Sequence, residues 1–204
     1  MVETKRPDPQ FVEKRAIIGY YTAPPPQTRV ICLDEMGPVS AKTYPAKRRA
    51  HQGKRPPLQP DYGRRAKVWV FGAFGPNKGT ALTLCQEQRR SLDFIELLDA
   101  VVQKWPNDEL ILILDNLSIH RSINVRLWAQ AHKRVRFLFQ PTYAPWLNLI
   151  EPWWKTLRSQ ALAGRRFDDL ATLRSSIVKS TNYWNDRRHP YVWRKTYRPN
   201  SNHL

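Results

Sequence analysis

The sequence predicts an α/β protein: a mixed sheet with helices on both faces. Three observations predict it. Apolar runs of strand length alternate with helix-length periodic segments in the order βββαβαβαα, the second and third strands are joined by hairpin chemistry, and one run of five consecutive aliphatics is too short for a helix and too apolar for an edge strand.

The elements follow in chain order. Residues 1–27 are polar and run into the prolines at 24–26, so they read as a lead-in with at most a short helix around residues 11–21. Residues 29–34 (RVICLD) form a short apolar strand that Gly37 and Pro38 are expected to stop. Residues 38–64 are rich in Lys, Arg, Pro and Gly with few large apolar side chains, which makes them a basic insertion unable to form core. Strands at 67–74 and 80–85 flank GPNKG, the composition of a hairpin turn.

Ser91 then opens a helix carrying Leu92, Phe94, Ile95, Leu97, Leu98, Val101, Val102 and Trp105 at helical spacing, and Pro106 ends it. The run ELILILD at 109–115 reads as the central strand. A helix near 122–132, a strand at 135–139, a loop with Pro141 and Pro145, and helices near 148–163 and 168–184 complete the domain, leaving 186–204 as a basic tail.

Composition narrows the function. Across 204 residues, 34 Lys and Arg stand against 17 Asp and Glu, a net charge of +17. That balance favours a polyanionic partner over a small metabolite. The basic pairs at 64, 89, 165 and 187 and the triplet Lys47, Arg48, Arg49 are spread over loops and tails rather than along one helix, which suits nucleic acid better than a lipid surface. Two cysteines, Cys32 and Cys85, lie in apolar runs and make neither a disulfide framework nor a zinc motif. The amino-terminal segment lacks an apolar signal region, and no apolar run reaches about 18 residues, so a cytoplasmic protein with no membrane span is expected.

Three carboxylates carry the chemistry: Asp34 and Asp115 end apolar strands and Glu151 opens an amphipathic helix, so one fold can gather all three against a phosphodiester. Each has a plainer role available. An aspartate after a buried strand also forms turns. Glu35 is adjacent to Asp34, and strand alternation lets only one of them point into a shared site without saying which. Asn148 with Glu151 three residues on has the spacing of a capping box. On the helical wheel Leu149, Ile150, Trp153, Trp154 and Leu157 form a buried stripe, with Asn148, Glu151, Lys155 and Arg158 opposite. His120 lies five residues past Asp115, placed to touch a phosphate, orient a ligand or cap a helix. The tryptophans offer base stacking, although core packing is the default for most of them.

The blocks LDEMGP, LDNLSIH and QPTYAPWLNLIEPWWK, in that order, resemble the catalytic domain of DDE transposases from bacterial insertion sequences related to the mariner superfamily, over roughly residues 28–185. The later two blocks are the most specific, with Asp115, Asn116, His120, Tyr143, Pro145, Asn148, Glu151 and Trp154 in place and 35 residues between Asp115 and Glu151. The resemblance implies a ribonuclease-H-like fold, a five-stranded mixed sheet flanked by helices with the first and fourth strands side by side. It implies Asp34, Asp115 and Glu151 as catalytic residues and ligands of two ions, Mg²⁺ or Mn²⁺, about 3.5–4 Å apart. Asn116, His120 and Asn148 would support them, while Lys47, Arg48, Arg49, Arg121, Lys155 and Arg158 would contact DNA.

The implied activity is cleavage of transposon ends and strand transfer into target double-stranded DNA, by a homodimer at the nucleoid. Such transposases read their ends with helix-turn-helix modules, which do not fit into the 33 residues ahead of Asp34, so a truncated copy or one half of a split reading frame is expected, with end binding left to a separate helix-turn-helix polypeptide where one is present. Alternatives are a noncatalytic DNA-binding remnant and another ribonuclease-H-like nuclease. The charge also predicts nonspecific duplex binding that weakens steeply from low to moderate salt. Titrating a random duplex at several salt concentrations checks this, and a flat response would remove the electrostatic argument.

Overall fold

A computed structural model describes residues 9–46, 66–142 and 144–191. Its sheet is formed by β1 (Thr28–Ser40), β2 (Lys67–Gly75), β3 (Thr80–Gln86), β4 (Glu109–Leu114) and β5 (Val135–Phe139). The spatial order is β3-β2-β1-β4-β5. β1 pairs antiparallel with β2 and parallel with β4, and β4 pairs parallel with β5, giving the mixed five-stranded sheet of a ribonuclease-H-like architecture.

Helices cover both faces, as the alternation of apolar side chains requires. On one face α1 (Phe11–Thr22), α4 (Ile150–Ala161) and α5 (Leu170–Asp186) pack against Val30, Cys32, Val70, Phe74, Ile111 and Ile113. On the other, α2 (Ser91–Lys104) and α3 (Ile123–Ala131) cover Ile31, Leu33, Phe71, Leu110, Leu112 and Leu114. Each such Leu or Ile, fully removed from water, contributes about 1.5–3 kcal/mol before the entropy of ordering is subtracted. The five aliphatics of 110–114 supply both layers at once, which is why that run carries no polar residue.

Two segments differ from the sequence reading. α1 is not a detached lead-in, because Ile17 and Tyr21 are buried in the core and the Tyr21 hydroxyl donates to the Leu147 carbonyl at 2.6 Å. Gly37 and Pro38 do not end β1. The strand crosses them with a shift of register between Met36 and Val39 and pairs again through Val39–Val68 and Ser40–Lys67, and Met36 and Val39 are both buried on it. Only 38–46 of the basic insertion is described, and Lys47, Arg48 and Arg49 lie outside the described residues, as does Tyr143. Among the described residues no helix is long and apolar enough to cross a membrane.

Candidate active site

The parallel pairing of β1 with β4 builds the site. Cys32 pairs with Ile113, and Asp34 and Asp115 each lie two residues beyond that pair, so the two aspartates leave the same end of adjacent central strands. Strand alternation then separates the neighbours at 34 and 35. Asp34 faces α4, where the Trp154 indole Nε1–H donates to its Oδ2 at 2.9 Å. Glu35 turns to the opposite face, where His120 Nε2 lies 2.9 Å from its Oε1.

Glu151 stands exposed in the first turn of α4, three residues before Trp154 and therefore on the adjacent stripe of the helix. Its charge reaches Asp34. Burial, chiefly, pushes the Asp34 carboxyl up from 3.8 to about 7, with the Glu151 and Glu35 charges adding to it and the Trp154 hydrogen bond opposing. Asp115 behaves in the opposite way. Burial pushes its carboxyl upward, but hydrogen bonds from His120 and the Leu117 N–H outweigh that and hold it below the usual range.

Two glycine and asparagine positions let α4 sit this close. Gly72 on β2 is paired with Asp34, and a Cβ there would stand 2.2 Å from Trp154 Cη2, so only a bare backbone admits the indole. Asn148 is buried at 5 % exposure, and its amide donates to the Leu33 carbonyl at 3.0 Å, tying the start of α4 to β1 one residue before Asp34. The capping box, the plainer alternative for Asn148 and Glu151, does not form. α4 begins at Ile150 with Leu149 at its cap, and the Asn148 side chain accepts from the Ile150 N–H at 3.4 Å while its amide donates to the Leu33 carbonyl. Asn148→Ala is expected to cost about 1–3 kcal/mol of stability by removing both of these buried bonds, read as a lowered midpoint in denaturant unfolding.

The other anticipated residues are placed as follows. Asn116 donates to the Gln140 carbonyl at 2.7 Å and accepts from Arg121, whose guanidinium also lies 4.8 Å from the Phe139 ring centre. These contacts brace the ends of β4 and β5. Lys155 and Arg158 are exposed on α4 and, with Lys42 and Tyr44, line a cleft of about 690 Å³ between that helix and the end of β1. Arg89 was not singled out in the sequence beyond its basic pair, yet it lowers the Asp115 carboxyl and packs its guanidinium 4.5 Å from the Trp69 ring centre. Gly72 was also missed, although a glycine between Phe71 and Ala73 in an apolar strand marks a close approach.

The fold thus brings the Asp34 and Glu151 charges near one another and sets Asp115 on the neighbouring strand. Among the described residues, however, no three Asp, Glu, His or Cys side chains stand as a finished metal-ligand cluster, and Asp115 Oδ1 lies 3.0 Å from His120 Nδ1. The donor chemistry still suits hard divalent ions. All three groups offer oxygen, and the donors that reach the Asp34 side chain, the Trp154 indole and the Glu35 backbone amide, are neutral, leaving a buried acid whose ionised form a cation would stabilise.

The family model of the DDE superfamily endonucleases matches residues 29–174. The chain belongs to that family. Within this DDE family it is 30 % identical over 96 residues to the insertion element IS630 uncharacterized 39 kDa protein of Shigella sonnei, a match covering 47 % of this chain and 28 % of that protein. Its fold is similar to Mos1 transposase in a paired-end complex with the left transposon end, with a TM-score of 0.61 at 17 % identity over 92 % of this chain and 58 % of that one. It is also similar to the catalytic core domain of BIV integrase, with a TM-score of 0.52 at 11 % identity over 79 % of this chain and 86 % of that one. The match thus spans under a third of the IS630 protein.

Proposed function

We propose that this chain is a transposase catalytic domain that cleaves transposon DNA ends and joins them to target double-stranded DNA. The observation that carries the reading is the shared strand end of Asp34 and Asp115, with Glu151 facing Asp34 from α4. In this reading Asp34, Asp115 and Glu151 hold two divalent ions, Mg²⁺ or Mn²⁺. When bound, such ions activate the attacking oxygen and stabilise the leaving oxygen of an in-line displacement at phosphorus.

The chain's own residues do the rest. The indole of Trp154 and the Asn148 bond to Leu33 hold Asp34 and the start of α4 in fixed relation, so the carboxylates are oriented before DNA arrives. Lys155, Arg158 and Arg121 meet backbone phosphates on either side of the site. In the first reaction water attacks the phosphorus at the element end, loses its proton, and the displaced 3′-oxygen leaves as a hydroxyl. In the second that 3′-hydroxyl attacks a target phosphodiester and displaces the target's own 3′-oxygen. The bonds formed and broken are of one kind, so one site serves both.

The active assembly is read as a homodimer on DNA, working in the cytoplasm at the nucleoid. The test is joining of pre-cut element ends to a target duplex by wild type with Mg²⁺ or Mn²⁺, by wild type with EDTA, and by Asp115→Ala. Joining that requires metal and disappears in the variant is the expected result. DNA binding without joining in every metal condition would favour a noncatalytic remnant, and cleavage confined to RNA/DNA hybrids would favour another nuclease of the same fold.

A further inference from the structure

His120 has an acidic partner on each ring nitrogen. Nδ1 lies 3.0 Å from Asp115 Oδ1 and 3.2 Å from the Asp115 carbonyl oxygen, and Nε2 lies 2.9 Å from Glu35 Oε1. The imidazole is 2 % exposed and rests on Phe94 with ring centres 4.3 Å apart. The Glu35 side chain is 1 % exposed, and its Oε2 has no hydrogen-bond partner among the described residues.

A role in stability alone explains this poorly. Glu35 is directed to the face of β1 away from Asp34, among Phe71, Phe94 and Leu33, where an apolar residue would pack without desolvating a charge. What the acid does reach is the candidate site, by way of one imidazole. Its two ring nitrogens face Glu35 and Asp115 at hydrogen-bond distance, so one buried imidazole spans the two carboxylates.

The far end of the chain is equally specific. Asp115 Oδ1 accepts from His120 and from the Leu117 N–H at 3.1 Å, so both bonds fall on one oxygen. The side chain remains 42 % exposed, which leaves Oδ2 as the oxygen available to a ligand. A carboxylate gripped on one oxygen and open on the other has its rotamer set before any ligand arrives.

We propose that Glu35 and His120 are positioning residues: a buried carboxylate–imidazole–carboxylate chain that passes from the far face of β1 to Asp115 and orients Asp115 Oδ2 toward a divalent cation. Glu35 orients the ring and His120 orients the aspartate, the arrangement by which outer groups tune a ligand they do not replace. The inference rests on the metal-dependent reading above, and adds to it two residues that never touch the substrate.

The test measures Mn²⁺ binding to the DNA-free chain by calorimetry, with strand joining as the second readout, for Glu35→Gln, His120→Asn and His120→Ala. His120→Ala is expected to weaken Mn²⁺ affinity about 10- to 100-fold. His120→Asn, whose amide can donate from the position of Nδ1, recovers part of that loss, and Glu35→Gln loses less than His120→Ala. In joining, kcat falls while KM for DNA is unchanged. Placed on an Asp115→Ala background, His120→Ala causes no further loss of Mn²⁺ affinity.

Wild-type affinity in His120→Ala and Glu35→Gln overturns the positioning role and leaves the transposase reading intact. A loss of the same size on the Asp115→Ala background also overturns it, because His120 would then act by another route. Absence of Mn²⁺ binding by wild type overturns both. Circular dichroism accompanies each variant, and should His120→Ala fail to fold, His120→Asn and Glu35→Gln decide the matter.

Discussion

Asp34→Asn is expected to reduce DNA joining by on the order of 10³-fold or more, while making the metal-free protein less sensitive to rising pH. The two effects share one cause. The Asp34 carboxyl is held at about 7, well above its ordinary 3.8, so between those values the folded protein binds the proton that the unfolded chain has released. Stability from this group is therefore fully present below about 3.8 and is lost as pH rises through about 7. Asparagine does not ionise, so the variant escapes that decline and also loses a charged ligand. His120, raised to about 9, adds a further loss at higher pH that both proteins share, so it cancels in the comparison. Thermal unfolding in EDTA across pH 4–8 gives the reading, and parallel curves for wild type and variant would show that Asp34 is not a strained buried acid.

Gly72→Ala is the second large effect, and it acts without touching a carboxylate. The added methyl would stand 2.2 Å from Trp154 Cη2, 2.6 Å from Cζ2 and 3.1 Å from Ile150 Cδ1. Trp154 is 3 % exposed and packed against Trp153 at 5.0 Å between ring centres, so the indole cannot yield without moving α4. Overpacking of this kind costs about 1–3 kcal/mol. It also withdraws the Trp154 Nε1–H from Asp34 and carries Glu151 with the helix. Joining should therefore fall more than stability alone accounts for. Pairing Gly72→Ala with Trp154→Phe withdraws the far ring and should restore much of the unfolding midpoint without restoring the hydrogen bond to Asp34. If the single variant unfolds and joins as wild type does, the tight contact between β2 and α4 is not what holds the site.

Much of the architecture was legible because each element obeys a local rule. The run 110–114 is aliphatic at every position since β4 is covered on both faces, and the periodic apolar residues of 92–105 form the helix that covers one of them. The hairpin of β2 and β3 follows from its turn. Where local rules compete, they misled. Gly37 and Pro38 are strand breakers by composition, yet burial of Met36 and Val39 carries β1 past them. Asn148 and Glu151 have the spacing of a capping box, yet α4 starts at Ile150 behind Leu149, and the Asn148 side chain bridges the Ile150 N–H and a carbonyl on β1. The expected lead-in contributes Ile17 and Tyr21 to the core because α4 and the turn before it leave a surface that α1 covers.

The sheet's strands, the strongly basic character and the candidate acids can be read along the chain, because apolar periodicity, net charge and motif spacing are local properties. That Asp34 looks toward Trp154 and α4 while Glu35 looks toward His120 emerges from the packing. That choice depends on which helix covers which face of β1. A strand's alternation sends neighbours to opposite sides, but what waits on each side comes from residues about 85 and 120 positions away.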